Sequence, residues 1–167
     1  MPSDAISGNG SAITPFEREA LGYVPLLAAY FQRARAEMPP QLRAVFTDKG
    51  LTARHGAVLT QLLPDQPRSI TDLAGRLGVS LSTASELVAN LSDAGLADRR
   101  EDPANRRRTL VSLSARYRPV FEAFVAIRSR PLLAALAELS EADRDGFVAG
   151  LAAWSRHVNP DQAHPRP

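Results

Sequence analysis

One stretch, residues 69–113, limits the possible folds of this chain more than any other: SITDLAGRLGVSLSTASELVANLSDAGLADRREDPANRRRTLVSL. Residues 71–77 form a short amphipathic segment with Leu73, Ala74 and Leu77 on one face. Gly78 stops it, and Val79 and Ser80 turn the chain. A second helical segment is predicted over 81–94, and Gly95 suits the left-handed position just past a helix end. Two short helices joined by a tight turn containing glycine are the helix-turn-helix pattern. Residues 96–100 and 108–113 then read as strands. Between them, the polar, proline-punctuated residues 101–107 read as a hairpin tip. A helix-turn-helix followed by a basic hairpin is a winged helix.

The second helix has two faces. Leu81, Ala84, Leu87, Val88 and Leu91 recur at helical spacing and are the expected buried stripe. Ser82, Glu86, Ala89, Asn90 and Asp93 lie opposite, with Thr83 and Ser85 at the edges. Ser80 stands where an N-cap is wanted. Two readings of the short hydroxyls are open at this point. They cap a surface helix, or they reach phosphates and base edges, as the N-terminal residues of a recognition helix do. The hairpin favours the second. Arg99, Arg100, Arg106, Arg107 and Arg108 stand against Glu101 and Asp102 within ten residues. That many guanidinium groups on a hairpin beside a helix-turn-helix suit a DNA backbone or minor groove. The global charge is only +2, so the local clustering carries this inference.

With these residues in view, the chain resembles the MarR family of winged helix-turn-helix transcriptional regulators. LTARHGAVLTQLL, ITDLAGRLGVSLSTASELVANLSDAGL and DPANRRRTLVSLS are similar to successive signatures of that family, in its order, over residues 51–114. The resemblance implies a mainly α fold with a small β-hairpin wing, a winged helix-turn-helix lobe and helical dimerisation regions. It implies a homodimer on double-stranded DNA. It also implies a repressor released by a small aromatic or anionic effector bound between the dimerisation helices and the lobe. The expected DNA-binding residues are Ser80, Ser82, Thr83, Ser85, Glu86, Asn90, Arg99, Arg106, Arg107 and Arg108, and the resemblance makes Arg107 the minor-groove arginine. Tyr23, Tyr30, Arg54 and His55 are the candidates for the effector.

Three departures from the family pattern stand out. Asn105 replaces the acid of the wing's Asp-x-Arg unit, and the expectation is that its amide braces the arginine guanidinium without charge assistance. Glu86 and Asn90 occupy positions that are often basic. Tyr117 stands where the family often has a glycine. Glu86, Asn90 and Asp93 together motivate an alternative from another class: a winged-helix protein-interaction module that has lost high-affinity DNA binding.

The expected organisation is a mobile tail over 1–14, dimerisation helices over 15–50, the lobe over 51–113, further dimerisation helices over 114–158 and a disordered tail over 159–167. Pro15 and Glu17 mark the start of the first helix, and Pro25 lies inside it, where a kink is expected. Residues 41–48 and 52–63 read as further helices, and 68–70 as a minimal third strand beside the wing. Pro119 and Pro131 are expected to bend or interrupt the helical region after residue 114. Ser140 and Asp143 resemble a capping box at the start of the last helix.

No catalytic constellation is legible, so an enzyme is not expected. The chain has no cysteine, which excludes disulfides and thiol-based sensing within it. His55, His157 and His164 show no metal-ligand spacing, so neither a metal nor a cofactor is expected. No apolar run approaches a membrane span, and no signal pattern opens the chain, so the expected location is cytoplasmic.

Overall fold

The computed structural model describes residues 12–158. Of the expected tails, residues 1–11 and 159–167 lie outside the described residues, and His164 with them. The chain divides into two compact units, residues 1–37 and 38–167.

The first unit contains α1 (Pro15–Ala36). Thr14 and Glu17 cap it reciprocally. The Thr14 hydroxyl accepts the Glu17 N–H at 3.2 Å, and the Glu17 carboxylate accepts the Thr14 N–H at 2.8 Å. The Thr14 N–H foremost, and the Thr14 hydroxyl donating to the same carboxylate at 2.9 Å, hold the Glu17 carboxyl below its ordinary range. Pro25 sits inside the helix and removes one backbone donor. No residue of α1 is buried; Phe16, Leu26 and Phe31 are among the large apolar side chains left exposed.

The second unit runs α2 (Pro40–Asp48), α3 (Ala53–Gln61), β1 (Arg68–Ser69), α4 (Ile70–Leu77), α5 (Leu81–Asp93), β2 (Ala97–Asp102), β3 (Asn105–Leu113), α6 (Arg118–Ala137) and α7 (Glu141–Val158). The three strands form one antiparallel sheet in the order β1-β3-β2. The third strand is as short as expected, with Arg68 opposite Val111 and Ser69 opposite Leu110. Gly78 closes α4 at φ 65°, and Gly95 follows α5 at φ 71°. Both adopt the left-handed conformation that a Cβ disfavours.

Leu42 and Phe46 of α2, Val58 and Leu59 of α3, Leu73 of α4, and Leu87, Val88 and Leu91 of α5 form one cluster. Val111 and Leu113 of β3 and Phe121 of α6 complete it. Each such side chain contributes about 1.5–3 kcal/mol through its removal from water. The two short helices of the helix-turn-helix are thus held by a shared core, since neither is long enough to be stable alone. Arg118 fastens α6 to the loop after α3: its guanidinium donates to the Leu63 carbonyl at 2.8 Å and pairs with Asp65 at 3.5 Å.

Three expectations need correction. Leu81 is not part of the buried stripe; it is 56% exposed, because the first turn of α5 projects beyond the core that covers Ala84, Leu87, Val88 and Leu91. The strands of the wing extend further than 96–100 and 108–113, and only Pro103 and Ala104 form the turn, because Asp102 and Asn105 pair across it. Pro119 does not interrupt α6. It falls in the first turn, where a missing N–H needs no intrahelical partner. Tyr117, at the family's glycine position, adopts φ −100° and donates its N–H to the Ser114 carbonyl at 3.1 Å, so that turn needs no left-handed residue.

Candidate nucleic-acid interface

Two chemically distinct surfaces meet on one side of the lobe: the N-terminal half of α5 and the wing. The start of α5 is built from three hydroxyls. Ser80 Oγ accepts the Thr83 N–H at 3.1 Å and lies 2.9 Å from Ser82 Oγ and 2.8 Å from Thr83 Oγ1. Capping is therefore real, and Ser80 and Thr83 serve each other first. A hydroxyl has two acceptor sites and one donor, so a network of this kind retains capacity for a phosphate oxygen. Ser82 and Glu86 are exposed, and Ser85 is half-buried beside the wing.

The wing owes its shape to a break in register. Glu101 pairs with Thr109, but the next pair is Asp102 with Asn105. Arg106, Arg107 and Arg108 are thereby crowded into an irregularity of β3, a device that re-aims side chains at functional sites. Two local bonds fix the tip. Asp102 Oδ1 accepts the Ala104 N–H at 2.9 Å, and Asn105 Oδ1 accepts the Arg107 N–H at 3.1 Å. Asp102 also faces Arg108 at 3.7 Å. Asn105 thus does not brace the Arg107 guanidinium, as expected from the departed Asp-x-Arg unit. Its amide is consumed by the backbone two residues on, the ordinary behaviour of an Asx residue in a turn.

Between these surfaces lies an open cavity of about 700 Å³. Leu81 and Ser85 line it from α5, Asn105, Arg107, Arg108 and Thr109 from the wing, and Ser69 and Thr71 from the start of α4. Arg99 and Arg106 are exposed on the wing outside this lining. At the start of α4, Ser69 Oγ accepts the Asp72 N–H at 3.1 Å. Asp72 is gripped by Arg68 at 2.9 Å and Arg76 at 3.0 Å, and the Arg68 bond foremost holds its carboxyl below the usual range.

The remaining expected residues fall elsewhere. Tyr23 and Tyr30 lie on α1, Tyr23 exposed and Tyr30 half-buried. Arg54 lines a separate cleft of about 460 Å³ with Arg76, Leu77, Val79, Leu87 and Arg156. His55 is 6% exposed, and its Nδ1 and Nε2 face Thr52 and Asn90. It is a buried residue of the lobe. Asn90, expected on base edges, has its amide 3.4 Å from His55 Nε2. Sequence reading missed this pairing and the part played by Leu81 and Thr109. The signal for Leu81 was its place one residue past the Ser80 cap. Among the described residues there is no group of three His, Cys, Asp or Glu that could hold a metal, and no helix long and apolar enough to cross a membrane.

A helix-turn-helix, a three-stranded sheet and an arginine-bearing hairpin define the lobe as a winged helix-turn-helix. Residues 49–108 match the model of the MarR family. No curated protein sequence matches the chain. Among solved structures, it is similar to a Staphylococcus aureus MepR mutant bound to an oligodeoxyribonucleotide. That match is 20% identical, covers 84% of this chain and 97% of the other, and has a TM-score of 0.53. RV1404 from Mycobacterium tuberculosis matches at 22% identity over 93% of this chain and 100% of its own, with a TM-score of 0.57. The PcaV transcriptional regulator from Streptomyces coelicolor, solved with its natural ligand, matches at 21% identity over 96% of this chain and 98% of its own, with a TM-score of 0.51. At these identities the likeness is one of fold.

Proposed function

We propose that this protein is a sequence-specific, DNA-binding transcriptional regulator that acts as a homodimer and represses until a small anionic or aromatic effector binds. The cavity shared by α5 and the wing carries the reading, because it sets Ser85 and Leu81 beside Arg107 and Arg108. A recognition helix reads base edges in the major groove while an adjacent basic hairpin follows the backbone into the minor groove. Ser82, Thr83 and Ser85 would contact phosphates and base edges, and Leu81 would offer its apolar side chain to a thymine methyl. Glu86 would accept from a cytosine amino group. Arg99, Arg106, Arg107 and Arg108 would neutralise phosphates or enter the minor groove. The match to the MarR-family model supports this reading. So does the similar MepR structure, which was solved with DNA.

Dimerisation is supported by apolar surface on α1 and α7. Phe16, Leu26 and Phe31 of α1 and Phe147, Leu151 and Trp154 of α7 are each at least 40% exposed. Faces of this kind signal an interface. Helix-turn-helix proteins commonly pair so that two recognition helices engage half-sites one turn apart. An effector that binds better to a dimer spaced wrongly for DNA would release the operator by population shift. Arg54, in its cleft with Arg76 and Arg156, and Tyr23 and Tyr30 on α1 are the proposed effector residues. PcaV, solved with its natural ligand, supports effector control.

Fluorescence anisotropy tests the reading, with one labelled duplex from the chain's own upstream region and one scrambled control, each at several salt concentrations. Tight, salt-sensitive binding to the first alone is expected. Equal weak binding to both would favour a protein-interaction module, the reading that the exposed carboxylates of Glu86 and Asp93 on α5 would then support.

A further inference from the structure

The capping box that opens α3 has a titratable residue in its third position. A threonine N-cap is usually matched three residues on by Glu or Gln, whose side-chain oxygen accepts the N-cap N–H. Here that residue is His55, with Nδ1 at 3.0 Å from the Thr52 backbone nitrogen and 3.0 Å from Thr52 Oγ1. A backbone N–H can only donate, so Nδ1 holds a lone pair and the ring proton resides on Nε2. Nε2 lies 3.4 Å from Nδ2 of the Asn90 amide, thirty-five residues away on α5. An amide rotated to turn its oxygen to Nε2–H completes a chain from Thr52 through His55 to Asn90.

We propose that His55 is a positioning residue for the recognition helix, joining the start of α3 to α5 only as the neutral Nε2–H tautomer, so that acidification weakens the DNA interface. The inference rests on the DNA-binding reading above. A second proton on the ring would go to Nδ1 and set it against the Thr52 N–H, donor to donor. The cap of α3 opens, the ring must turn, and Asn90 loses its fixed partner. Glu or Gln at this position would cap without any such sensitivity. The ring is buried, and burial pushes its pKa down. Glu86, one turn before Asn90 on α5, partly opposes that and offers the imidazolium a counter-charge. Arg54 precedes it on α3.

Three forms of the full chain test this: wild type, His55→Gln and His55→Leu. Anisotropy on the upstream duplex is read from pH 8 to pH 5.5. In parallel, ¹⁵N shifts of the imidazole report the tautomer. The expected result is an unprotonated Nδ1 at neutral pH. The affinity of wild type relative to His55→Gln should fall severalfold on acidification, with about tenfold as the ceiling for one group of lowered pKa. His55→Gln should keep binding at neutral pH with a flatter profile, and His55→Leu should bind more weakly throughout. Parallel pH profiles for wild type and His55→Gln, or a proton on Nδ1 at neutral pH, would overturn the proposal. If no form binds either duplex at any pH, the DNA reading fails separately. The tautomer, and thermal unfolding of wild type against His55→Gln across the same pH range, then decide the role of His55.

Discussion

The Asn105 side-chain oxygen accepts the backbone N–H of Arg107 at 3.1 Å, so the residue that opens β3 fixes the backbone of the wing arginines and leaves their guanidinium groups exposed. This relationship separates two roles that an acid in the same place would combine. Asn105→Ala should leave thermal stability almost unchanged, since the site is on the surface. It should weaken DNA binding about three- to tenfold, the worth of one ordering hydrogen bond. Anisotropy alongside a thermal melt checks both.

Arg107 is expected to act through charge. Arg107→Ala should lower affinity for specific and scrambled duplexes alike and reduce the slope of log affinity against log salt by about 1. An unchanged slope would remove Arg107 from the interface.

The two ends of the α5 apolar row should behave differently. Leu91 is fully buried and Leu81 is 56% exposed. Leu91→Ala should cost about 2–5 kcal/mol of folding stability. Leu81→Ala should change stability by about 0.5 kcal/mol or less, yet weaken DNA binding. Denaturant unfolding and anisotropy on the same two variants distinguish these outcomes.

Two glycines of α4 should respond with opposite sign. Gly78 sits at φ 65°, so Gly78→Ala should destabilise by about 1–2 kcal/mol through backbone strain alone. A Cβ at Gly75 would meet nothing within 4 Å, so Gly75→Ala should stabilise by about 0.5–1 kcal/mol through helix propensity. Paired thermal melts show the sign.

Stability should also depend on pH in two windows. Asp72 has a lowered carboxyl pKa in the folded chain, held first by Arg68. Unfolded Asp takes up its proton near pH 3.9, before the folded form does. Its contribution is therefore fully present above that value and lost as pH falls below it, and Asp72→Asn should flatten the acid limb. His55 is also lowered, by burial. Near pH 6.5 the unfolded ring binds a proton that the folded ring resists, so stability falls as pH drops through that region. Melting temperature against pH for the wild type and His55→Gln measures the second window.

Most of the lobe could be read from residue order. The Gly78 turn, the Ser80 cap, the Gly95 stop and the tip of the arginine hairpin rest on interactions within a few residues, and local chemistry is written in local sequence; the two-residue strand at Arg68 was legible as well, although its partner Val111 is distant in the chain. Tertiary structure decided the rest. Leu81 fits the helical period of its buried neighbours, but the core ends one turn short of it. The wing arginines owe their presentation to a register jump between Glu101 and Asp102, and strand pairing sets register where neither strand alone can. Asn90 has the spacing of a surface residue, yet its amide meets His55 from thirty-five positions away. Periodicity assigns a side chain to a face; only the packing of α3 against α5 determines what that face meets.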